Sequence, residues 1–238
     1  MTISMDNKKK GYNLRALFIT LCPAQVESEP LSPAGIKALP HLVAAMPNVA
    51  VSVAALRPML SWSEKSRATA NNQETKPAHA DPVNVTTHII RWPVLALRSS
   101  QHIEKLWPGA GFAFPFVGDR LVNILHTLPF DIMIALDLQF TGYVAYRLRE
   151  ITGVPYVLVQ GDSGELTQPR QSPARQAVLT AIARDAEFVL GHSSNAKAAT
   201  LRYPGSRFRD FDHSDSSGDK FIVLLQEALR QSGESFDW

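Results

Sequence analysis

Apolar residues gather into short unbroken runs, and between the runs they recur every three or four positions, the alternation of doubly buried strands with one-sided helices. The first run is Leu14 to Leu21, entered from a polar tail over residues 1–13 that is expected to be flexible. Residues 22–31 then form an irregular loop containing Pro23 and Pro30, and Ser32-Pro33 has the form of an N-cap followed by proline at the first helical position. Ile36, Leu39, Leu42, Val43 and Met46 supply the stripe of that helix, and Val49 to Leu56 is a second strand. The pieces predict a βαβ unit. The clearest unit is Phe130 to Leu166. Ile132 to Leu136 runs apolar and stops at Asp137, and Val154 to Val159 does the same before Gln160-Gly161-Asp162. Between them Thr141 can cap a helix whose Val144, Ala145, Leu148 and Ile151 recur at helical spacing, and Gly153 supplies its stop. A right-handed crossover places the carboxyl ends of both strands on one sheet edge, where open α/β folds bind ligands.

Residues 57–82 are rich in Ser, Asn, Ala, Thr and Lys and read as a mobile loop rather than a second core. Val83 to Trp92 predicts a third strand, Trp107 to Phe116 an aromatic, proline-punctuated loop, and Gly118 to Leu128 a helix. Ser172-Pro173 repeats the cap-plus-proline signature and opens a helix to Asp185. Ala186 to Gly191 is then a short strand, and His192-Ser193-Ser194-Asn195 opens a helix through Leu201. Tyr203 to Asp219 turns polar and irregular before an amphipathic helix from Lys220 to Gln231. The whole predicts an α/β fold: a doubly wound, mostly parallel Rossmann-like sheet over residues 14–202, followed by a polar linker and C-terminal helix over residues 203–238.

Composition narrows the function classes. Twenty-four basic against 22 acidic side chains leave a formal charge of +2, too near neutrality to indicate a nucleic-acid partner. The run Lys8-Lys9-Lys10 reads as a solvated tail. A single cysteine, Cys22, excludes an intrachain disulfide and agrees with a reducing cytoplasm, the expected location. No apolar run approaches the roughly 18 residues that cross a bilayer. A membrane surface has no support beyond the aromatic stretch Trp107 to Phe116, for which buried packing is the commoner role. The seven histidines are dispersed, so no metal site is expected, and no G-x-S-x-G elbow marks a nucleophile.

Leu14 to Gln25, Phe130 to Leu148, Thr152 to Leu166 and Ala186 to Leu201, taken in that order and spacing, resemble the N-terminal, acceptor-side domain of GT-B glycosyltransferases of the family 4 type. Phe130-Asp131 matches that family's strand-leading "FD" pair, Pro155 to Asp162 its "PlvvtvHGsD" strand and turn, and Ala186 to Ser193 its "ADrviavS" strand. The departures are specific. Of the glycine pair after the family's first strand, only Gly35 matches the second. The fourth-strand histidine is Leu136 with Asp137 beside it, and the histidine of the "HG" pair is Gln160, followed by Gly161. A glutamine cannot act as a base.

The resemblance implies transfer of a sugar from a nucleotide sugar to an acceptor, with the nucleotide sugar as co-substrate and no resident cofactor. In that family a second Rossmann-like domain with an E-x7-E motif holds the donor; no such motif occurs in these 238 residues. The chain therefore reads as the acceptor-side half, expected to work with a donor-domain subunit or as a homo-oligomer on a sugar or glycan acceptor. The terminal helix is similar to the one that crosses back onto the first domain in that fold. Asp137 is the candidate catalytic residue. Gly35, Gln139, Gln160, Gly161, Asp162, His192 and Ser193 are the candidate substrate-binding residues. Each has a plainer role: Asp137 and Asp162 can cap the turns that follow them, Gly161 can serve a tight turn, and Ser193 can cap a helix beside a satisfied His192. The alternative function is a non-catalytic glycan- or protein-binding module, a remnant or subunit of such an enzyme.

Overall fold

The computed structural model describes residues 14–21, 43–44, 49–59, 85–93, 107–160, 173–211 and 218–233. Its strands are β1 (Leu14–Leu21), β2 (Val49–Met59), β3 (Val85–Pro93), β4 (Ile132–Ala135), β5 (Tyr156–Val159), β6 (Val189–Gly191) and β7 (Phe208–Asp210). They form one seven-stranded sheet in the order β3-β2-β1-β4-β5-β6-β7. Every pairing is parallel. The helices are α1 (Trp107–Thr127), α2 (Phe140–Thr152), α3 (Pro173–Asp185), α4 (Ser193–Arg202) and α5 (Gly218–Gln231).

The apolar runs become strands because each is buried on both sides. Along β1, Leu14, Ala16 and Phe18 face one core, while Leu17 and Ile19 face the other. Along β4, Ile132 and Ile134 alternate in the same way with Met133 and Ala135. One face is covered by α1, α2 and α3 through Leu121, Leu125, Val144, Leu148, Leu179 and Ile182. The other is covered by Val43, within a helical pair, and by α5 through Phe221, Leu225, Ala228 and Leu229. Phe221 stacks on Phe18 at 6.3 Å and meets Phe211 at 5.1 Å, so α5 reaches back from the β7 edge to β1.

Helix α2 ends as the sequence predicts. Gly153 adopts φ 77°, in the left-handed region open to glycine, and its N–H bonds the Arg149 carbonyl. Three expectations differ. Trp107 to Phe116, expected as a loop, is the first half of α1; Pro108 stands in the first turn, where a missing N–H costs nothing. Strand β2 runs on to Met59 because β3 pairs with it as far as Met59 opposite Pro93, so the expected loop loses its first residues to the sheet. Phe208–Asp210 lies in the stretch expected to be irregular, yet pairs with β6 as a seventh strand. Three residues are too few for a readable period.

A charged group fixes the amino end of β6. Glu187 is 2% exposed, and its two carboxylate oxygens meet Arg149 at 2.9 Å and Arg207 at 3.1 Å. Both arginines also donate to backbone carbonyls of the same turn, Arg149 to Asp185 at 2.5 Å and Arg207 to Ala186 at 3.2 Å. Removing the carboxylate leaves two guanidinium groups without their shared partner. Glu187→Gln should lower stability by about 3 kcal/mol, read as a shift in the urea midpoint with an unchanged slope.

Candidate functional site

The carboxyl edge of the sheet contains its topological switch point. The chain turns to opposite faces on leaving β1 and β4: Val43, between β1 and β2, packs on the α5 face, whereas α2, which follows β4, packs on the other. Neighbouring strands whose connections diverge leave a crevice at their carboxyl ends, the usual ligand position in open α/β folds. The Leu136 N–H still bonds the Ile19 carbonyl at 3.1 Å, so β4 stays in register with β1 through its last residue, Ala135 opposite Ile19. Asp137 is the next residue.

Asp137 is half-buried and held by the first turn of α2. Its N–H donates to the Thr141 hydroxyl at 3.0 Å, and that hydroxyl donates to the Asp137 carbonyl at 3.1 Å. The Thr141 N–H lies 3.2 and 3.3 Å from the two carboxylate oxygens. Thr141, expected as the helix cap, stands inside the helix, whose N-cap is Gln139 without a side-chain cap bond, and its N–H is taken up by the Asp137 carboxylate from two residues before that cap. Gly142 makes this seating close: a Cβ there would meet the Asp137 carbonyl oxygen at 3.0 Å and a Leu158 methyl at 3.1 Å. Burial pushes the Asp137 carboxyl above the ordinary aspartate range, with the Thr141, Phe140 and Gln139 hydrogen bonds opposing that rise only in part. A half-buried carboxylate of raised pKa at a ligand edge can accept a proton or orient a hydroxyl.

The other expected residues are distributed along the same edge. Gln139 is half-buried just before α2. Gln160 follows β5 and is 2% exposed. Its N–H bonds the Leu190 carbonyl at 2.7 Å, and its carboxamide oxygen lies 3.3 Å from where a Cβ on Gly191 would stand. Gly191 thus leaves room for the Gln160 side chain at the end of β6, a role its place in an apolar run did not announce. His192 is exposed between β6 and α4, and Ser193 is the first residue of α4. Gly35, Gly161 and Asp162 lie outside the described residues. The edge therefore aligns Asp137, Gln139, Gln160, His192 and Ser193 behind β4, β5 and β6. Direct contact is found between Asp137 and Thr141, which the sequence marked only as a cap.

The ion pairs around Glu187 sit at the opposite, amino edge. An open groove of about 840 Å³ along the outside of α2 and α3, lined by Tyr146, Gln176, Thr180 and Arg184 among others, is likewise separate from the carboxyl edge. Among the described residues no three His, Cys, Asp or Glu side chains converge as a metal site. Nor is any described helix long and apolar enough to cross a membrane.

Solved structures share this arrangement. A sucrose-phosphate synthase structure from Thermosynechococcus elongatus superposes with a TM-score of 0.58 at 14% identity, covering 92% of this chain and 99% of that one. Arabidopsis thaliana UGT89C1 in complex with UDP-L-rhamnose gives 0.53 at 13% identity, covering 84% of this chain and 51% of its own. The same protein without that ligand gives 0.52 over 90% of this chain and 54% of its own. The fold, one parallel seven-stranded sheet flanked by helices, is Rossmann-like and matches that of these GT-B neighbours. The chain spans about half the length of the Arabidopsis protein. No protein-family model and no curated protein matches the sequence.

The Asp137 contacts give a stability test. A carboxyl whose folded pKa is raised binds its proton more tightly in the folded state, so its contribution to stability falls as pH rises from about 4 through the raised value. Asn caps helices about as well as Asp but carries no charge to desolvate. Asp137→Asn should therefore gain on the wild type as pH rises through that window and reach a plateau above it. Asp137→Ala, which loses the cap, should cost about 1 kcal/mol at neutral pH. Urea denaturation between pH 4 and 8 checks both.

Proposed function

We propose that this chain is the acceptor-side half of a family 4-type GT-B glycosyltransferase, acting in the cytoplasm on a sugar or glycan acceptor, with the nucleotide sugar held by a donor domain that a partner or a further domain supplies. The observation that carries the reading is Asp137: a half-buried carboxylate of raised pKa at the switch point of a GT-B-type sheet. The superposition on about half of a protein solved with UDP-L-rhamnose supports it, because a second half of similar size is what such a fold adds.

The chemistry follows from the residues present. Asp137 accepts the proton of an acceptor hydroxyl as that oxygen forms its bond to the anomeric carbon, while the bond from that carbon to the donor phosphate breaks and the nucleoside diphosphate leaves. Gln160 stands where the resembled family prefers histidine and cannot take that proton, whereas Asp137, next to the switch point, carries a carboxylate that can. Gln139, His192 and Ser193, along the same edge, are the further candidates for acceptor binding, and Gly35, Gly161 and Asp162 are candidates from the sequence alone.

A second reading rests on a specific observation. The Asp137 carboxylate already receives the Thr141 N–H, as a pure cap would. This favours a glycan- or protein-binding module without transfer.

The readings separate on binding. The chain alone should bind a mono- or oligosaccharide on a printed array, and Asp137→Asn should weaken that binding at least tenfold with a melting temperature no lower than the wild type's. It should show no saturable binding of UDP-, GDP- or ADP-sugars. Saturable donor binding by this chain overturns the acceptor-side assignment. Sugar binding untouched by Asp137→Asn favours the non-catalytic module.

A further inference from the structure

Thr141 bonds every polar atom of Asp137. Its hydroxyl takes the Asp137 N–H and gives its proton to the Asp137 carbonyl, and its own N–H is shared between the two carboxylate oxygens. Thr141 is itself fully buried, with no exposed surface, so it has no freedom to leave this arrangement. A side chain that only capped α2 would need the last of these contacts alone; the hydroxyl adds a grip on the Asp137 backbone, where the chain leaves β4. Gly142 closes the seat from below, since its missing Cβ lets the first turn of α2 approach the Asp137 carbonyl.

We infer that Thr141 is the positioning residue of this site, fixing the direction in which the Asp137 carboxylate faces the crevice. The inference rests on the proposed role of Asp137 in handling an acceptor hydroxyl. A proton-accepting carboxylate must be aimed to within hydrogen-bond tolerance of the hydroxyl, and a residue carried on the rigid first turn of a helix supplies that aim. The same hydrogen bonds hold down the rise that burial imposes on the carboxyl, with burial the larger influence. Among the described residues the groups acting on Asp137 are Thr141, Phe140 and Gln139 from α2 and its approach, and no charged side chain of these residues is among the causes of its shift. Its ionisation is therefore controlled by hydrogen bonding and burial.

Thr141→Val keeps the volume and the backbone N–H but deletes the hydroxyl, and Thr141→Ser restores the hydroxyl without the methyl. The full chain would be titrated by carbon NMR of the Asp137 carboxyl and, in parallel, with the strongest sugar binder from a printed array of mono- and oligosaccharides, below the melting temperature of each variant. Thr141→Val should move the Asp137 titration to higher pH, move the acid limb of sugar binding with it, and weaken binding about tenfold at neutral pH. Thr141→Ser should return all three toward wild type. A purely structural role would lower the melting temperature of Thr141→Val and leave the titration and the affinity where they were; that result overturns the inference while leaving Asp137 in place. If the wild type binds no sugar on the array, the acceptor reading fails, and the positioning role with it. If Thr141→Val does not fold, failure of Thr141→Ser to keep the wild-type titration and affinity overturns the inference, and preservation of both supports it.

Discussion

Glu187 buries a carboxylate between two arginines at the point where α3 gives way to β6. Burying an unpaired carboxylate costs several kcal/mol, so the fold is possible only where its partners arrive with it. Arg149 comes from α2 and Arg207 from the residue before β7, and each bonds a different oxygen of Glu187 while also bonding a backbone carbonyl of the 185–186 turn. The Glu187 N–H meanwhile bonds the Tyr156 carbonyl at the start of β5. One side chain thus ties α2, β5, β6 and the entry to β7 at the amino edge. The guanidinium of Arg149 stands 5.9 Å from the Tyr156 ring centre, and that of Arg209 stands 4.7 Å from Phe188, extending the same ordering along the edge. With the amino edge fixed in this way, the carboxyl edge can carry irregular turns without losing register.

That division of labour follows from the sheet. Strands buried on both faces gain stability from apolar contacts along their length and need few polar groups inside, so polar side chains collect at the ends. At the amino ends they neutralise one another: Glu187 with its arginines, and Asp131, which accepts the Arg15 N–H at 2.6 Å. At the carboxyl ends of β4, β5 and β6 stand Asp137, Gln160 and His192, the first and last of them beside the amino termini of α2 and α4. The switch between β1 and β4 separates the covering helices and opens the only kind of crevice that such a sheet builds by topology alone.

The strand positions were legible because burial on both faces writes itself as an unbroken apolar run: Ile132 to Ala135 and Tyr156 to Val159 sit inside runs that the sequence displays without ambiguity. Helix ends marked by particular residues were legible for the same local reason, Pro173 opening α3 and Gly153 closing α2. What could not be read depended on distant partners. Strand β7 exists through β6 and carries little pattern of its own. The helical form of Trp107 to Phe116 was hidden by prolines and glycines that favour loops. At the site, Asp137 was visible because it ends an apolar run. Its partner Thr141 was visible only as a helix-start residue, because a cap signature names the residue types and not which of them donates to which. The roles of Gly142 and Gly191 depend on what a Cβ would strike, which is a fact of packing.

Asp137 carries two demands that pull its ionisation in opposite directions. The amides at the start of α2 favour the carboxylate, and burial disfavours it; burial prevails, so the carboxyl lies above its ordinary range. A residue that served only to cap α2 would do so as well with a neutral oxygen, since Asn and Ser cap about as effectively as Asp and avoid desolvating a charge. An aspartate here therefore gives up some stability at neutral pH relative to the neutral cap. The carboxyl is held by Thr141 through its N–H and, at the Asp137 backbone, through its hydroxyl. The proposed role of Asp137 rests on this balance and on its place at the switch point, whereas the likeness to glycosyltransferases bears on the fold alone.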